Sequence, residues 1–351
     1  MIWCHIGRQS LFIKRGLQKM FKKILFILAL VLSTLGGCYV GKVSESLDLM
    51  NRTSGKSLSN VDLGDIEVTE QTGVTNILLI GSDSRSELGS EKYGRSDTAM
   101  IATIDNNHKC LKLTSLMRDM DVKIPGFGKH KFNASYAYGG PELLYKTIAE
   151  NFGIHLDGYA EVDFKAFKDM VNEIGGVEVE LTAEEAQYLN TTNYINGKKN
   201  RNVKAGWNTM NGAQALGYCR VRKVANIKGT NNDQGRTERQ RMVMSAVFAK
   251  IKTMPMSKWQ SVIDAILPNV TTDISNKNIL NYATTVVMMG TTKVHPCQIP
   301  VEGHYTDGTS PTDGKVLEID LQENKNLLHE FIFDYDGKEP VEALSEREGD
   351  Q

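Results

Sequence analysis

The chain has 351 residues, of which 40% are hydrophobic and 24% charged, an ordinary balance for a globular protein with a full core. Its net charge of −1 hides a split: residues 1–23 carry six bases and no acid, 24–40 carry no charge, and 41–351 hold 35 bases against 42 acids. An acidic body of this kind excludes general affinity for nucleic acid.

"ILFILALVLSTLGGCYV" at 24–40 is apolar and would span about 25 Å as a helix, near the short limit for a membrane crossing. The bases before it (1–23) predict a signal anchor with a cytoplasmic N-terminus, a single pass through the cell membrane and an exported remainder. No A-x-A site for a cleaved signal peptide occurs. "LGGC" at 35–38 resembles a lipoprotein-processing site with Cys38 as the lipidated residue, and Met20 is a second natural start beside Met1. Polar residues 41–72 read as a stalk, 73–335 as one domain and 336–351 as a polar tail. Cys110, Cys219 and Cys297 are too widely spaced for a metal site or a disulfide framework, and are expected as buried free thiols.

"NILLIG" (76–81) reads as a buried strand ending at glycine, and 98–105 and 110–117 as two strands joined in a hairpin at "NNHK". "PELLYKTIAENFG" (141–153) opens with proline and closes with glycine, the punctuation of a helix. "DFKAFKDMVNEIGG" (163–176) repeats that plan with Asp163 as N-cap, and "VEVEL" (177–181) follows as a strand. A long helix over 236–252 places Met242, Val243, Ala246, Val247 and Ile251 on one side. Helices at 275–289 and 321–333 flank a strand at 293–300. Hairpin and crossover links together predict an α/β fold with a mixed central sheet.

Several common sites are absent: no G-x-x-x-x-G-K-[ST] loop, no G-x-S-x-G elbow and no H-E-x-x-H, and the seven histidines have no ligand spacing. The positive signal is three successive strand ends with an acid beside an arginine: Asp83 and Arg85, Arg95 and Asp97, Arg118 and Asp119. Singly each is a turn residue or an ion pair. Together, hard carboxylates suit Mg²⁺ and guanidinium forks suit phosphate. Arg220 and Arg222 are two apart, so an extended segment points both the same way. Arg236 and Gln240 share a helix face near an N-terminus that favours anions. Asp233 is a candidate cap for that helix. Arg239 and Arg241 fall on other faces and are expected in solvent.

"LLIGSDSR", "GRSDTAMIATID", "TSLMRDMDVKIPG", "KFNASYAYGG", "GGVEVEL", "MNGAQALGYCRVRK" and "DQGRTERQR" occur in the order found in the LytR-CpsA-Psr family, which this chain resembles from about 76 to 253. The resemblance implies a membrane-anchored phosphotransferase that moves a glycopolymer from a polyprenyl-pyrophosphate carrier onto peptidoglycan. The glycopolymer would be teichoic acid, capsular or a related polysaccharide. It also implies an α/β/α fold with a hydrophobic tunnel for the lipid. Asp83 and Asp97 then correspond to the magnesium-associated carboxylates, with Mn²⁺ the other candidate ion and either aspartate able to take the acceptor's proton. Arg118, Arg220, Arg222 and Arg236 correspond to the diphosphate ligands, and Arg85, Arg95, Asp233 and Gln240 complete the rim. Two rival readings keep the same ligand: a non-catalytic module that binds lipid diphosphates, and a pyrophosphate hydrolase that uses water. A DNA-binding regulator is excluded, because residues 1–23 are too few for a cytoplasmic reading domain. The insertion "VANIKGTNN" between Arg222 and Asp233 departs from the family pattern and leaves the position of Asp233 open. The long stretch at 182–209 is expected to frame the acceptor groove.

Overall fold

Strand β2 (Val74–Ser82) alternates: Asn76, Leu78, Ile80 and Ser82 are buried on one face while Ile77, Leu79 and Gly81 are half-buried on the other. Such alternation arises because successive side chains of a strand leave opposite faces, and here both faces meet other structure. The computed structural model describes residues 45–52, 57–82, 96–255, 258, 261, 262, 264, 267–290 and 294–334, and residues 50–351 form one unit. Before β2 stands a short strand β1 (Asn51–Arg52); after it come β3 (Ser96–Asp105), β4 (Cys110–Leu116), β5 (Asp121–Ile124) and β6 (Gly128–Lys131). Helix α1 (Ala134–Phe152) leads to β7 (Gly158–Asp163), α2 (Phe164–Glu173), β8 (Val177–Leu181) and α3 (Ala183–Thr191). Next are β9 (Gly206–Met210), α4 (Gly212–Tyr218), α5 (Asn232–Thr253), β10 (Val270–Thr272) and α6 (Asn276–Met289). The described chain closes with β11 (Val294–Ile299), β12 (Tyr305–Ser310), β13 (Gly314–Ile319) and α7 (Leu321–Phe333).

Among the described residues, seven strands form a mixed sheet in the order β1-β10-β7-β2-β3-β4-β11. β2, β7, β4 and β11 run one way, and β3, β10 and β1 the other. The predicted hairpin is β3 and β4, and the predicted strand at 293–300 is β11, laid parallel to β4. β8, the "VEVEL" strand, stays out of the sheet and pairs with β9.

One face of the sheet packs tightly. Leu78, Ile80 and Ile101 meet Leu144 and Ile148 of α1 and Leu328 and Phe331 of α7. α1 begins earlier than its proline implies: Gly139 and Gly140 leave the helical conformation, and Pro141 restarts it. Gly153 closes it at φ 65°, a left-handed cap that glycine adopts without strain. A second core joins α2, β8, α3, α4 and α5 through Val171, Val179, Leu189, Ala215, Val243 and Val247.

Residues 57–72 correct the stalk reading in part. Leu58 is buried in the main core, and Val61, Leu63, Ile66 and Val68 pack against it, so this stretch belongs to the domain wall. Its apolar residues are sparse enough to read as spacer, but each finds the core. The anchor at 24–40 and the tail at 336–351 lie outside the described residues. Among the described residues no helix is long and apolar enough to cross a membrane.

Candidate anion site at the mouth of an apolar cavity

Between the sheet and the second core lies a cavity of about 470 Å³. Its floor is Leu79, Gly81, Met100, Ala160 and Val162 from the sheet, and its roof includes Phe167, Met170, Leu216 and Met244 from α2, α4 and α5. Arg220, Arg222, Lys223, Arg236 and Gln240 also line it. The cavity reaches Gly81 and Asp163 at the carboxyl ends of β2 and β7, the edge of an open α/β sheet where ligands are usually received. Asp163 is the expected N-cap of α2, its Oδ1 accepting from the Ala166 amide at 2.7 Å.

The arginines meet at one carboxylate. Arg236 Nη2 donates to Asp233 Oδ2 at 2.8 Å, while Arg118 Nε and Arg222 Nε stand 3.7 and 3.6 Å from Asp233 Oδ1. Three guanidinium groups thus surround one carboxylate. At separations beyond hydrogen-bond length, Arg118 and Arg222 are held to Asp233 by charge alone. Arg118 also lies 3.5 Å from Asp119 Oδ2, and Lys131 Nζ lies 3.1 Å from Asp119 Oδ1. Arg220 is exposed and sits 5.9 Å above the Phe164 ring, a weak contact for a solvated cation. Gln240 Nε2 reaches the Cys219 carbonyl at 3.5 Å.

Asp233 is therefore not the helix cap. The N-cap of α5 is Asn231, and Asp233 lies in the first turn. The insertion that left its position open folds back on itself. The Asn232 amide donates to the Arg222 carbonyl at 2.6 Å, closing a loop that returns Asp233 to Arg222. Glu238 pins the loop from inside, accepting from Asn226 Nδ2 at 2.7 Å and from the Thr230 hydroxyl. Gly235 permits the closure, because a Cβ there would stand 2.6 Å from the Thr230 carbonyl oxygen.

Arg239 overturns the expectation that it faces solvent. It is fully buried, its Nε and Nη2 bonded to Glu185 Oε1 at 2.9 and 2.8 Å. Nη1 and Nη2 also donate to the Val221 and Val224 carbonyls at 3.3 and 2.7 Å. Glu185 uses its other oxygen to accept from the Thr182 amide in the capping box of α3. The buried pair thus grips the backbone on both sides of Arg222. Arg241 is also misplaced by the sequence reading: it is half-buried and donates to Gln298 Oε1 at 2.9 Å. The physical reason is helical spacing. Arg239 precedes Val243 by four residues and Val247 by eight, so it shares their buried face.

Two members of the site were missed in the sequence. Lys223 lines the cavity beside Arg222, signalled only by its place in "CRVRK". Lys131 reaches Asp119 from β6, with no local signal to pair them. Cys219 borders the cavity, and burial pushes its thiol up to about 12, so it stays protonated and inert. Cys110, Cys219 and Cys297 are buried free thiols, as expected.

Asp83, Arg85 and Arg95 lie outside the described residues. Among the described residues no three His, Cys, Asp or Glu gather as a metal site. Asp97 is placed by its backbone: Gly81 pairs with Thr98 and Ser82 with Ser96, so Asp97 is the extra residue of a β-bulge at the cavity edge. Bulges commonly redirect a side chain next to a functional site. An aspartate carboxylate is a hard oxygen donor of the kind that magnesium takes.

The fold is thus a mixed α/β sheet with guanidinium groups gathered beside a cavity lined mainly by apolar side chains. The chain belongs to the LytR_cpsA_psr family, which it matches over residues 39–328. The regulatory protein MsrR of Staphylococcus aureus is 31% identical over 263 residues, 74% of this chain and 75% of MsrR. The polyisoprenyl-teichoic acid–peptidoglycan teichoic acid transferase TagU of Enterococcus faecalis is 32% identical over 317 residues, 87% of this chain and 95% of TagU. A solved structure of YwtF (TagT) from Bacillus subtilis with bound octaprenyl pyrophosphate lipid is similar with a TM-score of 0.58 at 25% identity. That match covers 80% of this chain and 98% of YwtF.

Proposed function

We propose that this protein transfers a glycopolymer from a polyprenyl-pyrophosphate carrier to a hydroxyl group of peptidoglycan. The observation that carries this reading is the convergence of Arg118, Arg222 and Arg236 on Asp233 at the mouth of the 470 Å³ cavity. A diphosphate matches the forks of the clustered guanidinium groups, and an apolar chain fills the space behind them. The names of TagU and of the lipid-bound YwtF structure agree with that ligand class. The anchor at 24–40 would hold the domain on the outer side of the cell membrane, within reach of lipid-linked donors.

In the reaction, an acceptor hydroxyl oxygen bonds to the phosphorus nearer the glycan. The bond from that phosphorus to the bridging oxygen breaks, and polyprenyl phosphate leaves with the electron pair. The acceptor proton passes to a carboxylate, with Asp97 and Asp83 the candidates. Arg222 and Arg236 take up the charge growing on the leaving phosphate, and Arg118 and Arg220 orient the transferred phosphoryl group. Asp233 keeps the cluster assembled before substrate arrives, when mutual repulsion would otherwise spread it. Asp83 and Asp97 would hold Mg²⁺, which when bound neutralises further diphosphate charge.

The test is incubation of the protein with a short-chain polyprenyl-diphosphate glycan and peptidoglycan fragments, read by mass spectrometry. A phosphodiester-linked product is expected, formed together with polyprenyl phosphate. Release of glycan phosphate without acceptor linkage would make it a hydrolase. Tight binding with no product would make it a binding module.

A further inference from the structure

We propose that the exposed aromatic stack of Phe127 and Tyr138, rather than the stretch at 182–209 that the sequence suggested, is the platform on which the acceptor glycan strand of peptidoglycan docks. This rests on the transferase reading and adds the acceptor subsite to it. Phe127 stands at the tip of the β5–β6 hairpin between Gly126 and Gly128, at φ +81° and +85°, which glycine adopts without strain. The turn thrusts its ring outward, leaving Phe127 51% exposed and Tyr138 37% exposed. Large aromatic rings left open in contact with each other cost hydration free energy, and such patches commonly mark binding surfaces.

The stack is built rather than accidental. The two ring centroids are 4.8 Å apart at 25°, and His130 braces Tyr138 edge-on at 5.7 Å and 89°. His130 Nδ1 in turn lies 2.8 Å from Asp313 Oδ2 on the β12–β13 turn, and Thr312 Oγ1 donates to the same oxygen at 3.0 Å. An apolar platform rimmed by a carboxylate and a hydroxyl matches a pyranose, which has an apolar ring face and an edge of hydroxyls.

Position and direction point to the acceptor. The β5–β6 hairpin joins the two places: its last residue, Lys131, reaches Asp119 beside Arg118, and Phe127 stands four residues, about 13 Å of strand, before it, within the span of a short glycan segment. The cavity lies under α2, α4 and α5, whereas α1, which carries Tyr138, packs on the other face of the sheet. In phosphoryl transfer the attacking and leaving oxygens are roughly in line across phosphorus. With polyprenyl phosphate leaving toward the cavity, the attacking hydroxyl enters from the opposite side, where the platform stands.

Phe127→Ala, Phe127→Trp and Tyr138→Ala in the full chain, held in detergent, separate the possibilities. Uncross-linked peptidoglycan glycan strands, a short-chain polyprenyl-diphosphate glycan and anionic lipid vesicles are each titrated calorimetrically. The alanine variants should weaken strand binding roughly tenfold, with tryptophan restoring it and donor affinity unchanged. Unchanged strand binding, or no strand binding by the unaltered chain, overturns the proposal. A loss confined to the donor assigns the platform to the donor glycan, and a loss confined to vesicles makes it a membrane contact; either result also overturns it. Binding requires no turnover, so a chain that binds strands but transfers nothing counts against the transferase reading alone.

Discussion

Arg236 and Arg239 lie three residues apart on one helix, yet their surroundings differ completely. Arg239 is closed on every side, with a carboxylate and two backbone carbonyls saturating its guanidinium group in the buried interior. Arg236 shares a single carboxylate with two other arginines, at the edge of a cavity with room for a ligand. The first arrangement has nothing left to offer a substrate, and the second borders open space. The difference teaches that an arginine cluster divides by how its charge is balanced rather than by sequence spacing. Arg239 and Glu185 grip the backbone on both sides of Arg222, while Arg220, Arg222 and Arg236 line the cavity and Arg118 stands beside Asp233.

The largest effect should fall on the buried pair. Removing one partner leaves the other charged and unpaired, so Arg239→Ala should cost about 3–5 kcal/mol of stability in denaturant unfolding. A loss below about 1 kcal/mol would show that the pair does not hold the loop. Asp83→Asn and Asp97→Asn should instead leave unfolding unchanged while lowering transfer by about a hundredfold or more. Full activity in both variants, or in excess chelator, would remove the metal and the proton acceptor from this edge. Arg220→Ala should weaken transfer by roughly one to two orders of magnitude, and Arg220→Lys should recover only part of that, since lysine keeps the charge but loses the fork. Equal activity of the lysine variant would reduce Arg220 to a point charge.

The smallest effect concerns Glu238. Burial pushes its carboxyl up, but hydrogen bonds from Thr230, Asn226 and Lys228 outweigh this and hold it below the ordinary value of 4.5. A depressed carboxyl contributes stability that is present above the unfolded value and lost as pH falls through the folded one. The stability difference between the unaltered chain and Glu238→Gln should therefore be constant above about pH 5.5 and shrink in acid below 4.5. A difference independent of pH would mean that the loop is not anchored by this charge.

Much of this comparison could be read from the sequence, and its limits have physical causes. Alternation in β2, the β3–β4 hairpin and Asp163 as a cap follow from local periodicity, which acts over a few residues. The extended segment expected to aim Arg220 and Arg222 together is instead a turn at Arg220. The fate of Arg239 was half legible. Its face was judged only against Arg236, and the spacing to Val243 and Val247 that carries it into the core was overlooked. Its partner Glu185 is 54 residues away, and no local rule connects them. Asp233 was misread for the same reason: a carboxylate in a first helical turn resembles a cap until the arginines of two distant segments arrive beside it. The β5–β6 and β12–β13 hairpins that frame Phe127 and Tyr138 were missed, because their strands are short and their apolar alternation is weak.

The central claim is that the arginines around Asp233 bind a lipid-linked diphosphate. Titration of a short-chain polyprenyl diphosphate into the unaltered chain, Arg222→Ala and Arg236→Ala, with unfolding curves for each, tests it most directly. Affinity should fall by roughly one to two orders of magnitude in both variants, with each still fully folded under the titration conditions. Unchanged affinity in folded Arg222→Ala and Arg236→Ala would contradict the claim and leave the cluster a structural feature of the loop.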